Sequence, residues 1–214
     1  IENTNFFVNM MRAPKKEIAL LSDFEEKMDK IARTTCNKNV TNIAGVPSWM
    51  MAVLKHMLNV TGKQGVEELW PNLEVFFHGG VAFTPYREQY HQLIRKSDMK
   101  YMETYNASEG FFGIQNDPTD KSMMLMLDYG VFYEFIPLEH LDNPEGHIVP
   151  LWKVEAGKNY AIVISTTCGL WRYQIGDTII HIKGTDIDQI IAHNSVNCVI
   201  CGHVNALGDD FCDE

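Results

Sequence analysis

The chain has no hydrophobic run of membrane-spanning length and no charged-then-apolar leader. Neither a transmembrane helix nor a signal peptide is therefore predicted. Cysteine is sparse: Cys36, Cys168, Cys198, Cys201 and Cys212 are odd in number and unevenly spaced, which excludes a disulfide framework. A reducing cytoplasm is the expected location. Basic residues are outnumbered, 18 Lys and Arg against 28 Asp and Glu, for a net charge of −10. That balance argues against a nucleic-acid partner and against an acidic membrane surface. There is no internal repeat and no low-complexity linker. Ser165-Thr166-Thr167-Cys168-Gly169 lacks the Lys and the spaced glycines of a phosphate-binding loop of the Walker type. The histidines are scattered, so no Ser/His/Asp or Cys/His set for nucleophilic catalysis can be assembled.

What is present describes an ordinary globular protein. With 214 residues, 45% hydrophobic and 21% charged, the chain can bury a real core in one large domain or one and a half small ones. The Ile start and the mixed polar tail suggest a piece of a longer protein. Ile18, Leu21, Phe24, Met28 and Ile31 recur at helical spacing after Pro14, with Ser22 and Glu25 as a capping box where the helix restarts. Thr41 to Val46 reads as a short strand. Pro47 opens a helix to about Leu58, with Met50, Leu54, Met57 and Leu58 inward. Trp49 and the methionines read more simply as core than as part of a ligand pocket. A short helix is predicted over Gly65 to Trp70. LEVFF, Leu73 to Phe77, is a strand running into His78-Gly79-Gly80, where a ligand or another backbone can come close. Thr84-Pro85 starts a helix to about Lys96, and Met99 to Tyr105 is the next strand. Strand, helix, strand implies a parallel crossover. It would bring Gly79-Gly80 and Asn106 to Glu109 to one edge of the sheet.

After residue 120 the texture changes. Met123 to Asp128, Val131 to Ile136, His147 to Val154, Tyr160 to Thr167 and Thr178 to Lys183 read as successive antiparallel strands, with helical period only at Ile187 to His193. The predicted class is α/β: a parallel-sheet α/β subdomain over residues 1–120, then an antiparallel, barrel-like or strongly twisted subdomain over 121–200, with 201–214 as the start of a hinge.

Three clusters could carry chemistry. YMETYNASEGFFGIQ, Tyr101 to Gln115, is a strand, a polar turn and an aromatic return. Its turn sets a hydroxyl, a carboxylate and a flexible glycine beside an aromatic ring. Those groups can meet a base, a phosphate oxygen and Mg²⁺, but a capped turn with solvated polar groups explains them equally well. In Trp171-Arg172-Tyr173-Gln174-Ile175-Gly176-Asp177, the Asp after Gly can accept two ribose hydroxyls. Arg172 there can offer a fork to phosphate or carboxylate. The plainer reading is a hairpin turn with an Arg–Asp surface pair. Cys198 and Cys201 form a CxxC near His203 and Cys212, yet the second close pair of a zinc site is missing and VICG reads as a buried strand.

FHGGVAFTPYREQY, YNASEGFFGIQ, MLDYGVFYEFIPL and TTCGLWRYQIGD resemble, in order and spacing, the acyl acid-amido synthetases. These form the auxin-responsive Gretchen Hagen family, in the acyl-adenylate-forming superfamily. The resemblance runs from about Ala44 to about Gly208 and leans to the bacterial branch. YNASEG and YQIGD together are its most specific part. It implies an adenylate-forming N-terminal domain and an ATP- and Mg²⁺-dependent ligase whose partners are a small carboxylic acid and an amino acid. The acid attacks the α-phosphate of ATP, pyrophosphate leaves, and an amine then displaces AMP from the acyl-adenylate. Carried over by motif, Tyr105 stacks on the adenine and Asn106 lies beside it. Ser108 contacts the α-phosphate, and Glu109 faces Mg²⁺ and the phosphates. Asp177 holds the ribose and Tyr173 shapes that pocket. Gly79, Gly80 and Val81 wall the adenine and acyl groups, while Trp49, Met50 and Phe112 belong to the acyl pocket.

Two features depart from the family pattern. No Ser/Thr/Gly-rich loop for the outer phosphates stands upstream, and His203 replaces an expected Arg at the hinge, in a shortened segment around Asn205 to Asp209. Three other readings stay open: an acyl-CoA ligase of the same superfamily, a non-catalytic nucleotide-binding fragment, and a zinc module. The acid, the amine and the oligomeric state are not encoded in any motif.

Overall fold

Helix α1, Phe6–Met11, opens the chain and buries none of its residues. The computed structural model describes residues 5–181 and 189–196. The chain divides into two compact units, residues 5–77 with 86–101, and residues 78–85 with 102 onward. Residues 102–120, grouped with the first half on sequence grounds, thus belong to the second unit. Among the described residues no helix is long and apolar enough to cross a membrane.

In the first unit, α2 (Lys16–Ala19) and α3 (Phe24–Thr35) replace the single interrupted helix expected after Pro14. The cap is Asp23 rather than Ser22: its carboxylate accepts from the Glu26 amide at 2.7 Å. An oxygen one residue nearer the helix reaches the orphan amides of the first turn, and a carboxylate also complements the helix dipole. Strand β1 (Asn42–Gly45) leads into α4 (Pro47–Thr61), with Pro47 in its first turn. Met51, Leu54, Met57 and Leu58 are its buried face. Met50, expected inward, is half-buried, because the stripe that meets the core starts one residue later. Strand β2 (Val75–His78) and helix α5 (Arg87–Leu93) follow. Tyr90 of α5 is fully buried; its ring lies 4.9 Å from that of Phe76, and its hydroxyl donates to the Pro47 carbonyl at 2.7 Å. Trp70 is fixed in the same way, its indole N–H donating to the Thr35 carbonyl at 2.9 Å. Both rings bury large apolar bodies while their polar tips are satisfied.

Strand β3 (Lys100–Ala107) lies beside β2. The Lys100 amide donates to the Glu74 carbonyl at 2.9 Å and the Thr104 hydroxyl to the His78 carbonyl at 3.1 Å. Partner numbers rise together along both strands, so they run parallel, as a strand–helix–strand crossover requires.

The second unit is a run of antiparallel pairings. Its strands are β4 (Gly110–Ile114), β5 (Met123–Leu125), β6 (Val131–Pro137), β7 (Val149–Pro150), β8 (Asn159–Thr166), β9 (Tyr173–His181) and β10 (Gln189–Val196). From β3 onward the sheet order is β3-β4-β5-β10-β9-β8-β6-β7. Strand β8 is buried on both faces. Tyr160, Ile162 and Ile164 join Phe112, Tyr133, Phe135 and Ile179 on one side, while Ala161 and Val163 meet Ile136 on the other. That is why YAIVI reads as an unbroken apolar run rather than an alternating one.

Two expectations change here. Of Ile187 to His193, given a helical period, the described residues 189–193 belong to strand β10, because pairing with β9 satisfies their backbone. His147 to Val154 holds only the two-residue β7, and Leu151–Lys153 is a 3₁₀ turn. The antiparallel run agrees with the expected barrel-like or strongly twisted subdomain; among the described residues the sheet does not close, and β7 lies at its end. Cys198, Cys201, His203, Cys212 and the hinge segment lie outside the described residues.

Candidate active site

The two polar motifs of the second unit meet through one hydrogen bond. The Tyr105 hydroxyl on β3 donates to Oδ2 of Asp177 on β9 at 2.5 Å, although the residues are 72 positions apart. Strands β4, β5 and β10 stand between β3 and β9 in the sheet. Four strand spacings in a flat sheet would separate the two by roughly 19 Å, further than a tyrosine and an aspartate can span. The sheet therefore curls, and its bulges show where: between Tyr105 and Asn106 on β3, and between Ala192 and Val196 on β10. A bulge bends its strand and tightens the local twist.

The turn Ser108-Glu109 joins β3 to β4 directly after the bulge, with Ala107 opposite Gly110. Ser108 and Asn106 are exposed and Glu109 is half-buried. Glu109 is close enough to act electrostatically on both Tyr105 and Asp177. Burial raises the Asp177 carboxyl above the usual carboxylate range; the Tyr105 hydrogen bond opposes this and the charge of Glu109 adds to it. Burial also pushes the Tyr105 phenol far above its ordinary value, helped by the Asp177 charge and the bond to it. At neutral pH Tyr105 is therefore a fixed donor between two acidic groups.

Tyr105 is held from below. Its ring lies 5.1 Å from that of Phe112, which is completely buried and in turn meets Tyr133 edge-on at 6.4 Å. The void among Tyr105, Phe112, Gly113, Leu125 and Ile179 is about 10 Å³, no more than water-sized. Phe112, which the resemblance assigns to the acyl pocket, lies beneath the tyrosine.

The loop after β2 is tied to the same strand. A Cβ on Gly79 would overlap the Thr104 carbonyl oxygen, so only glycine allows this approach. Gly80 follows at φ 83°, in the left-handed region. His78 stacks on Phe83 at 4.1 Å, closing the loop on itself. Gly79 thus stands against the residue next to Tyr105, and half-buried Val81 follows two residues on. Trp49 and Met50 belong to the first unit, where exposed Trp49 packs edge-on against Phe24 at 4.9 Å.

Arg172 places its fork on a carboxylate, one of the two acceptors expected for it. Its fork is filled by Glu134, with Nε and Nη2 donating at 2.9 and 2.8 Å, and its amide donates to the Ser165 hydroxyl at 3.0 Å. The surface pair expected with an Asp is made with Glu134 instead. The Arg172 backbone sits at φ 46°, unusual for a side chain with a Cβ. It borders a broad cleft of about 760 Å³ with Phe132, Ser165, Thr167 and Trp171, which does not include Tyr105 or Asp177. Tyr173 opens β9 and is exposed. Thr104, Phe83 and Glu134 were not anticipated from sequence; each acts through a partner distant along the chain, and none lies in a motif that signals its role.

Two family models match the chain: the GH3 family N-terminal domain over residues 1–99 and the GH3 family central domain over residues 124–185. The indole-3-acetic acid-amido synthetase GH3.4 of Arabidopsis thaliana is 31% identical over 167 residues, 70% of this chain and 26% of its own length. The jasmonoyl–L-amino acid synthetase JAR4 of Nicotiana attenuata is 34% identical over 128 residues, 56% of this chain and 21% of its own. The chain belongs to the GH3 family. The solved structure of GH3.15 acyl acid amido synthetase superimposes with a TM-score of 0.63 at 16% identity, over 82% of this chain and 41% of that one. This GH3 chain spans about a quarter of the length of the curated relatives. Asp177 falls within the central-domain match, whereas the Tyr105 to Glu109 turn lies between the two matched stretches.

Proposed function

We propose that this GH3 chain carries the nucleotide site of an ATP-dependent acyl acid-amido synthetase, a ligase that adenylates a small carboxylic acid and then joins it to the amine of an amino acid. The single observation that carries this reading is the Tyr105–Asp177 hydrogen bond. It unites YNASEG with YQIGD at one place in a protein of a family whose relatives are named amido synthetases. Asp177 is the acceptor for ribose hydroxyls, and Tyr173, further up β9, shapes that side. The Ser108 hydroxyl and the neighbouring amides of an exposed turn suit the α-phosphate. Asn106 flanks the base, and the Gly79 to Val81 loop, free of side-chain bulk at Gly79, forms a wall.

The donor set suits Mg²⁺. Among the described residues no group of three His, Cys, Asp or Glu side chains gathers. A hard cation here would be held by the Glu109 carboxylate together with nucleotide phosphates, the usual arrangement for Mg²⁺. Bound there, Mg²⁺ supplies charge neutralisation on the phosphates as pyrophosphate leaves. The chain's own residues do the rest by position: Asp177 anchors the sugar and Ser108 steadies the α-phosphate, so the acid's carboxylate oxygen can approach phosphorus in line with the departing pyrophosphate oxygen. In the second step the amine forms a bond to the acyl carbon, the bond to AMP breaks, and the ammonium proton is lost to solvent.

Incorporation of labelled pyrophosphate into ATP, dependent on both a carboxylic acid and Mg²⁺, tests the adenylation step. Hydroxamate formation with hydroxylamine traps its product. The reading requires that the chain bind AMP and that Asp177→Ala weaken that binding; unchanged affinity in the variant would remove its basis.

A further inference from the structure

We infer that His140 and His147 form an acid-sensitive latch at the β7 end of the sheet: when neutral they stack and hold the loop between them closed, and when both are protonated they repel and let it open. The two rings lie 3.6 Å apart and 12° from parallel. His140 ends the 3₁₀ turn Leu138–His140 and is half-buried; His147 is exposed and stands two residues before β7. Each ring is next in sequence to an apolar anchor. Leu141 and Ile148 both pack on Ile136, Ala161 and Val163, the cluster on the second face of β8. The loop is two turns end to end: the Asn143 amide donates to the His140 carbonyl at 3.1 Å, and the His147 amide to the Pro144 carbonyl at 3.0 Å. Each of these bonds stays within its own turn, and the ring stack joins the outer ends of the two. The latch is independent of the nucleotide reading.

Histidine is the side chain whose charge ordinarily changes between about pH 5 and pH 8. A neutral pair packs as two flat rings. One proton is tolerated as well, because the Glu139 carboxylate lies 4.0 Å from Nε2 of His140 and the neighbouring ring offers its π face. A second proton sets two like charges face to face at 3.6 Å. Repulsion at that separation shifts an equilibrium by roughly fivefold to tenfold even at the dielectric of water. Asp142 and Glu145 are exposed in the loop, where solvent screens them. Lys158, just before β8, acts electrostatically with Glu139 and is bridged to Glu155 at 2.9 Å. Strands β7 and β8 carry no Asp, Glu, Lys, Arg or His, and Glu134 on β6 is held by Arg172. Opening relieves the repulsion at the cost of the Leu141 and Ile148 contacts. It also loosens β7, the two-residue strand that covers Glu134 and Phe135 at the edge of β6.

Hydrogen exchange read by mass spectrometry at about pH 7.5 and about pH 5.5 tests this on the parent chain and on His147→Phe, at low salt and with rates corrected for the intrinsic pH dependence of exchange. Phenylalanine keeps a flat ring over His140 and takes up no proton. In the parent, residues 138–150 should exchange about fivefold faster at the lower pH, while residues 159–166 of β8 keep their rate. In His147→Phe the corrected rates of residues 138–150 should agree at the two pH values. A parent whose loop exchanges alike at both pH values overturns the inference. So does an equal acceleration of β8, which would mean general loosening in acid rather than a local latch. So does an acceleration that survives in His147→Phe, which would place the response on another group. His140→Phe makes the same comparison from the other side of the stack if His147→Phe folds poorly, and the parent measurement stands without either variant.

Discussion

Asp177→Asn should make the ligand-free protein more stable at neutral pH while weakening its hold on AMP. The physical reason is the environment of the carboxyl: burial disfavours its charge, the nearby Glu109 adds repulsion, and the Tyr105 hydrogen bond offsets only part of this, so its pKa in the folded chain is raised. The sign follows from linkage. An acid whose folded pKa lies above its unfolded one, about 3.9 for Asp, binds protons more readily when folded. Stability from this group is fully present below the unfolded pKa and is lost as pH rises through the folded pKa. At pH 7 Asp177 is therefore a cost. A destabilisation of about 1 kcal/mol moves Tm by roughly 2–4 °C in a domain of this size, so the cost is readable in melting curves. Asparagine keeps the shape and an acceptor for Tyr105 but carries no charge. Melting curves of the parent and Asp177→Asn across the acid-to-neutral range should show the variant ahead at neutral pH, with the gap closing in acid. A variant less stable than the parent at neutral pH, or a gap unchanged with pH, would refute the electrostatic account. The same substitution should weaken AMP binding, because a charged acceptor gives way to a neutral one, a difference of about 1–2 kcal/mol.

Phe112→Ala should cost about 3–5 kcal/mol in urea unfolding, the range for deleting a fully buried phenylalanine, and should lower AMP affinity through the loss of the Tyr105 support; a loss of stability with AMP affinity intact would separate the core from the site. Gly79→Ala should cost about 1–3 kcal/mol, since the new methyl meets the backbone oxygen of Thr104 rather than a side chain that can move; an unchanged urea midpoint would show that the loop does not depend on this approach. Glu109→Gln should reduce Mg²⁺-dependent pyrophosphate exchange at least tenfold more than it reduces AMP affinity, in keeping with roughly 1.4 kcal/mol or more of charge-dependent interaction; equal losses would move Glu109 from metal to nucleotide. Tyr90→Phe should cost about 1–3 kcal/mol in urea, because the buried Pro47 carbonyl would lose its donor; no change would mean that water replaces the phenol.

The parts legible in the sequence were those set by local rules. Pro47 fixed a helix start, LEVFF and the YAIVI run announced strands, and the strand–helix–strand spacing around α5 produced the parallel pair β2 and β3. Errors of one residue arose where two side chains competed for one role, as Ser22 and Asp23 did for a cap, and Met50 and Met51 for the core. The apolar segment around Ile190 and Ile191 was too short for periodicity to separate helix from strand, and pairing with β9 decided it.

The site was legible as two lists of residues but not as one place. Nothing local to Tyr105 specifies Asp177, because their meeting depends on how far three intervening strands curl, and that depends on bulges set by packing and register rather than by any signature residue. The same dependence explains why the partner of Arg172 could not be read from its own segment. From its own segment the guanidinium is a free fork, and only the register that puts β6 beside β8 brings Glu134 to fill it. A charged residue in a motif can be matched to a ligand from sequence only where no protein partner reaches it first. In this unit the competition went opposite ways at the two acidic sites. Glu134 is spent on Arg172, while Asp177 keeps a neutral donor on one oxygen and stays in an environment that disfavours its charge. Among the described residues no cation acts on Asp177, and a fold that carries such a cost is better suited to a ligand rich in hydroxyl donors than to an empty surface.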